Sequence, residues 1–131
     1  MKQVDITKTL EEIEGEIWSE PVFNSGLVVR VHELRKKPLN EFRYEDLRLL
    51  ILQQTSLDSL LPLALKILTE NPLRSGDLYI GDLFCAVLNV DEEYWKNNIE
   101  IKNELYEVIR IYNNARDRIE SHINKYRSDD L

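Results

Sequence analysis

The chain has 131 residues and a mass of 15.5 kDa, with 43% hydrophobic and 31% charged residues, a balance that predicts one domain over residues 1–131 with a single core and leaves no reason to invoke wholesale disorder. Its net charge of −7 opposes the counterion-releasing attraction on which nucleic-acid binding depends, so neither DNA nor RNA is an expected ligand. An acidic surface favours, and speeds association with, a basic partner.

The N-terminus, Met1-Lys2-Gln3-Val4-Asp5, lacks the apolar core and the small-residue cleavage site of a signal peptide. Helical spacing begins after Thr9, a fitting N-cap: Leu10, Ile13 and Ile17 recur at three and four residues and predict a helix to about Ile17, weakened by Gly15. Ser25 opens a second helix to Lys37, with Leu27, Val31 and Leu34 on one stripe and Pro38 as its stop. Its basic last turn, Arg35-Lys36-Lys37, complements the negative end of a helix dipole and needs no nucleic acid to explain it.

Tyr44 to Gln54 reads as a third helix, opened by Glu45 and Asp46 and carrying Leu47, Leu50 and Ile51 inward. The apolar stretch Leu47 to Leu52 is interrupted by Arg48 and falls far short of the ~20 residues a membrane span needs. Leu57 to Glu70 is a nearly continuous leucine run, with Pro62 tolerated if the helix proper begins about there. Apolar on several faces, these two helices are expected to form the hub of the fold.

After Asn71-Pro72, the segment Arg74 to Asp77 reads as a turn and Ile80 to Asn89 as another buried helix. Within it Cys85, the chain's one cysteine, behaves as a small hydrophobe; it excludes an intramolecular disulfide and suits a reducing cytoplasm, the expected location. Asp91 is placed to cap a short helix through Trp95, with Glu92 and Glu93 in its first turn. The longest periodic element runs from Ile101 to Tyr126, where Leu105, Val108, Tyr112, Ala115, Ile119 and Tyr126 form a stripe. Core packing is the reading of that stripe, with a coiled-coil seam between copies as the alternative, and Ser128 to Leu131 reads as a frayed tail. The predicted fold class is all-α: a single-domain compact bundle of about six to seven helices with a long C-terminal helix.

The sequence holds little that points to catalysis. His32 and His122 are ninety residues apart and neither sits in an HExxH pattern or beside a cysteine pair, so no metal is expected. Gly76 and Gly81 are five apart, but no Lys-Ser or Lys-Thr follows, and Asp77 and Asp82 lack the EF-hand spacing, so no cofactor or catalytic residue is expected either. The structural reading has Asp77 stabilising the Gly76 turn and Asp82 opening a helix, with a hydrolase built on Asp77, Asp82 and His32 as the enzymatic alternative. Acidic residues crowd at Glu11, Glu12, Glu14, Glu16 and Glu20, and again at Asp91, Glu92 and Glu93 beside Tyr94 and Trp95. Charge accelerates docking and an aromatic anchor supplies binding energy, which makes Glu11, Glu12, Glu14, Glu16, Asp77, Tyr79, Asp82, Glu92, Glu93 and Trp95 the candidate contacts for a basic protein. The plainer alternative is a solvated face with core aromatics.

The run His32 to Leu39, followed by Phe42, Glu45-Asp46-Leu47-Arg48 and Gln53, resembles the immunity proteins of contact-dependent growth inhibition systems, the CdiI type. The resemblance continues through Leu60 to Leu65, Asn71-Pro72-Leu73, Gly76 to Leu83, Val87-Leu88 and Trp95, and takes in the stretch from Leu10-Glu11 to Pro21, about half the chain. It implies a small helical cytoplasmic protein, encoded beside a large surface-displayed toxin, that binds the toxin's C-terminal domain and blocks it without catalysis. Cognate toxins of this kind are often nucleases, ribonucleases above all, whose basic phosphate-holding face an acidic inhibitor can occupy. The implied complex is one immunity monomer with one CdiA-type toxin domain. The matched leucines, prolines and glycines read as fold determinants, so contacts are expected on charged surfaces instead. The alternative function is a helical antitoxin-like regulator or adaptor that uses the basic turn Arg30 to Lys37 on nucleic acid, or binds another protein.

Overall fold

The computed structural model describes residues 3–20 and 25–129; within them the chain forms seven α-helices and one 3-10 turn, with no strand. Helix α1 (Leu10–Glu14) begins in a capping box, in which the Glu12 backbone N–H donates to the Thr9 hydroxyl at 3.2 Å and the Thr9 N–H donates to the Glu12 carboxylate at 3.1 Å. It stops at Gly15, whose left-handed backbone (φ +66°) carries no Cβ penalty. The expected extension to Ile17 is therefore corrected: Ile17 lies beyond the cap and is 79% exposed. The Val28 N–H donates to the Ser25 hydroxyl as α2 (Gly26–Arg35) starts, a helix that ends two residues short of Lys37. Only its C-terminal half reaches the core, so Leu34 is buried while Leu27, expected on the same stripe, is exposed.

A 3-10 turn (Leu39–Glu41) leads to α3 (Tyr44–Leu52) and then α4 (Leu57–Glu70). Pro62 lies inside α4 rather than at its start. The helical partner that Pro62 cannot supply belongs to the carbonyl of Asp58, an exposed residue open to water, which is why the early start is tolerated. Helix α5 spans Asp82–Leu88 and α6 Glu92–Lys96; Ile80, expected as the first buried residue of α5, precedes the helix and is 79% exposed. Asp91 occupies the N-cap of α6 without a side-chain capping bond; its backbone N–H instead donates to Gln54 at 3.1 Å.

Helix α3 packs on α5 and α4 on α7 (Ile99–Asp129), with α3 and α4 also in contact, so the two leucine-rich helices form the expected hub. Leu47, Leu50 and Ile51 meet Leu60, Leu61, Leu65 and Leu68 there, closed off by Leu83, Val87, Leu105 and Val108. Of the residues expected as a frayed tail, Ser128 and Asp129 continue α7, and Asp130 and Leu131 lie outside the described residues, as does Pro21.

Candidate functional site

Three charged side chains are buried in this helical body, and each organises a segment of the surface. Asp82, at the start of α5, is 2% exposed; one carboxylate oxygen accepts from the Gly76 N–H at 2.6 Å, the other from Leu78 at 2.9 Å and Tyr79 at 3.3 Å. The Ser75 hydroxyl closes the same loop by accepting from the Gly81 N–H. A second tie comes from α3, where Glu45 accepts from the Asp77 N–H and is clasped by both Nε and Nη2 of Arg48. The Arg48 guanidinium holds the Glu45 carboxyl down at about 2, against a smaller push upward from burial. A loop whose N–H groups are taken inward turns its side chains outward, and Leu78, Tyr79 and Ile80 stand in solvent.

Asp46 is the second hub: Arg30 Nη2 at 2.7 Å, Lys37 Nζ at 3.3 Å and the Arg43 N–H at 2.9 Å all donate to it. Burial pushes its carboxyl up, and these partners more than offset that, leaving it below the usual carboxylate range. The third hub is Arg35, which donates to Glu14 at 2.6 Å and to the Glu16 carbonyl at 2.9 Å, lies 4.2 Å from the Trp18 ring centroid and touches the Ser56 hydroxyl at 3.5 Å. With Lys36 on Glu20 and Arg30 also on Glu33, the basic run of α2 is spent on carboxylates of its own chain. Each cation of that run has a carboxylate of its own chain beside it, which weakens its pull on a phosphate backbone.

The candidate residues fall into two groups. Glu14 and Glu16 are tied through Arg35 to Ser56, and Glu92 and Glu93 follow Asp91, which is bonded to Gln54, so both acidic edges meet the turn between α3 and α4. That turn is bent by two non-glycine residues in left-handed backbone, Gln54 (φ +58°) and Ser56 (φ +54°). Glu12, Glu16, Glu92 and Glu93 are exposed and Glu11 is half-buried. Asp77 and Tyr79 stand at the other end of α3, about 13 Å away along a nine-residue helix.

Two candidates are corrected as contacts: Asp82 is buried with its carboxylate spent on the loop, and Trp95 is buried in the core edge-on to Tyr94. Asp77 does not stabilise the Gly76 turn either; Asp82 does, while Asp77 pairs with Arg43 at 2.9 Å. The ring nitrogens of His32 lie against the carbonyls of Val28 and Ser19, so His32, Asp77 and Asp82 are each engaged elsewhere than with one another. Arg35, Trp18 and Asp46 were missed as surface organisers, and Leu78 and Ile80 were missed as exposed neighbours of Tyr79. The available signal was a charged residue at an inward helical position, Arg35 next to Leu34 and Asp46 next to Leu47.

Among the described residues no group of His, Cys, Asp and Glu forms a metal-binding cluster, and no helix is long and apolar enough to cross a membrane. A family profile described as CDI immunity proteins matches residues 12–105, from the acidic edge of α1 through all of α6 to the last core leucine of α7. No curated protein and no solved structure matches the chain.

Proposed function

The chain belongs to the CDI immunity proteins, and from that premise we propose that it binds and neutralises the C-terminal toxin domain of a contact-dependent growth inhibition system in the bacterial cytoplasm. The toxin is a basic nuclease, a ribonuclease by preference, and one toxin domain is taken by each copy of this chain. Inhibition is by occlusion: carboxylates of the acidic edges stand where phosphates of the substrate would lie, and charge steers the encounter. No cofactor and no catalysis by this chain enter the reaction.

The observation that carries the occlusion reading is the meeting of two acidic edges at one turn of a chain whose basic run is neutralised from within. Glu16, Glu92 and Glu93 present the charge there. The rigid loop with Tyr79 and Ile80 offers a second, apolar contact at the far end of α3, fitting a partner that spans the whole face. The test is titration of the toxin domain encoded beside this gene with the purified chain, reading binding heat and nuclease activity together. Stoichiometric binding with loss of activity is expected. Binding that leaves the activity intact would overturn occlusion while keeping the partner.

A further inference from the structure

Beyond Tyr112 the last helix leaves the body, and every residue from Asn114 to Ser128 is exposed. At 1.5 Å per residue this arm is about 22 Å long. Ile119, Ile123 and Tyr126 recur on the face that upstream carries Leu105, Val108 and Tyr112, so the stripe that docks α7 on the body continues into water. The arm also differs from the body in charge: Arg116, Arg118, Lys125 and Arg127 outnumber Asp117, Glu120 and the last helical residue Asp129 on a chain of net charge −7.

One flank of α7 orders these charges. Residues Glu104, Ile111, Arg118 and Lys125 follow one another at seven-residue steps, with Glu100 and His122 one turn away on the same side. The flank is thus acidic near the body, apolar at Ile111 and basic along the arm. Such a flank is complementary to itself when laid antiparallel: with Ile111 on a two-fold axis, Glu104 faces Arg118 of the second copy and Glu100 faces His122, each pair occurring twice. Among the described residues Glu100, Glu104, Arg118 and Lys125 make no ion pair within the chain.

A landing place for the arm lies on the same side. A groove of 630 Å³ between α4 and α7 has Ile6, Pro62 and Leu63 in its wall and Glu70, Glu104 and Lys66 around it. A second hollow shares Pro62 and adds Asp58 and Glu100. In the register set by Ile111, residues 115–126 of one copy run beside residues 96–107 of the other, which is the height of these two hollows.

We propose that two copies of this chain pair antiparallel through α7 about an axis at Ile111, each arm laying Ile119, Ile123 and Tyr126 over the α4–α7 groove of the other. A basic toxin is the wrong occupant for a basic arm, and the acidic groove of a second copy is the complementary one. The free protein is then a dimer, and the neutralised complex holds two of each chain rather than the one immunity monomer and one toxin domain that the resemblance implies. The acidic edges around Gln54 take no part in the pairing.

Sedimentation equilibrium of the full chain without toxin tests this across concentration. A mass rising to twice the 15.5 kDa of one chain is expected. Arg118→Glu and Glu104→Arg should each weaken the dimer at least about tenfold, because each sets like charges opposite one another, and the double variant should restore most of the loss. Circular dichroism of each variant checks that the fold persists. A chain that stays at the mass of one copy at every concentration overturns the pairing, and a dimer indifferent to both reversals overturns its register. If Ile119→Asp lowers toxin affinity in a chain that never dimerises, the arm is a toxin contact and the proposal fails.

Discussion

The loop at residues 75–81 and the arm of α7 both hold apolar side chains in water, for opposite reasons. In the loop, a buried carboxylate draws three backbone N–H groups inward, and Leu78, Tyr79 and Ile80 are exposed as the geometric consequence. The arm is exposed because the helix outlasts the body, and among the described residues it is held by its own backbone bonds and by bonds that its own side chains make within it. Exposure in the first case is bound up with stability, whereas in the second it is independent of it. Apolar surface alone therefore says little about a site until the source of its order is known.

The largest expected effect breaks the loop. Asp82→Ala leaves the N–H groups of Gly76, Leu78 and Tyr79 without their acceptor and should cost about 3 kcal/mol or more in denaturant unfolding, with the chain still helical by circular dichroism. A wild-type midpoint in that variant would show the loop to be held by something other than Asp82.

Next comes the tie from α3. Glu45 titrates at about 2 against an ordinary 4.5, so its stabilising contribution is complete above about pH 4.5 and is lost as pH falls from there toward 2. Between pH 7 and pH 3 wild type should lose about 1–3 kcal/mol more stability than Glu45→Gln, the difference isolating this carboxylate from the others. Gly76 adjoins the same residue: a Cβ there would sit 2.4 Å from Glu45 Oε1 and 3.0 Å from its Cα. Gly76→Ala should therefore destabilise by about 1–2 kcal/mol, measured by thermal unfolding.

The smallest effect belongs to the arm. Ile123→Ala and Tyr126→Ser should change the unfolding free energy of the dilute chain by less than about 0.5 kcal/mol, since neither side chain rests on the body. A loss as large as that of Gly76→Ala would mean the arm is folded back on its own chain, and the contrast with the loop would collapse.

Periodicity made the helical body legible. The leucines of α3 and α4 marked the hub because an inward stripe must repeat at three and four residues, and Thr9 and Ser25 marked helix starts because their hydroxyls fit orphan N–H groups. Periodicity also misled: Ile17 and Ile80 continue a stripe on paper, but Gly15 reverses the backbone ahead of Ile17 and Gly81 reverses it between Ile80 and α5. The arm of α7 read as core for the same reason, since spacing records which face is apolar and not whether anything lies against it. The acidic edges were visible as composition. Their meeting at Gln54 and Ser56 was not, because it depends on tertiary bonds from Arg35 and Asp91 and on two left-handed residues with no sequence signature.

Whether the acidic edges at the α3–α4 turn hold a CDI toxin domain is decided by calorimetry. The direct measurement compares wild type with the combined variant Glu16→Lys, Glu92→Lys, Glu93→Lys in calorimetric titration against the toxin domain encoded beside this gene, with toxin activity followed in the same samples. Tight binding and full inhibition by wild type, with affinity about a hundredfold weaker in a variant that keeps its fold, is the predicted result. Equal affinity of the two chains would place the toxin on another face.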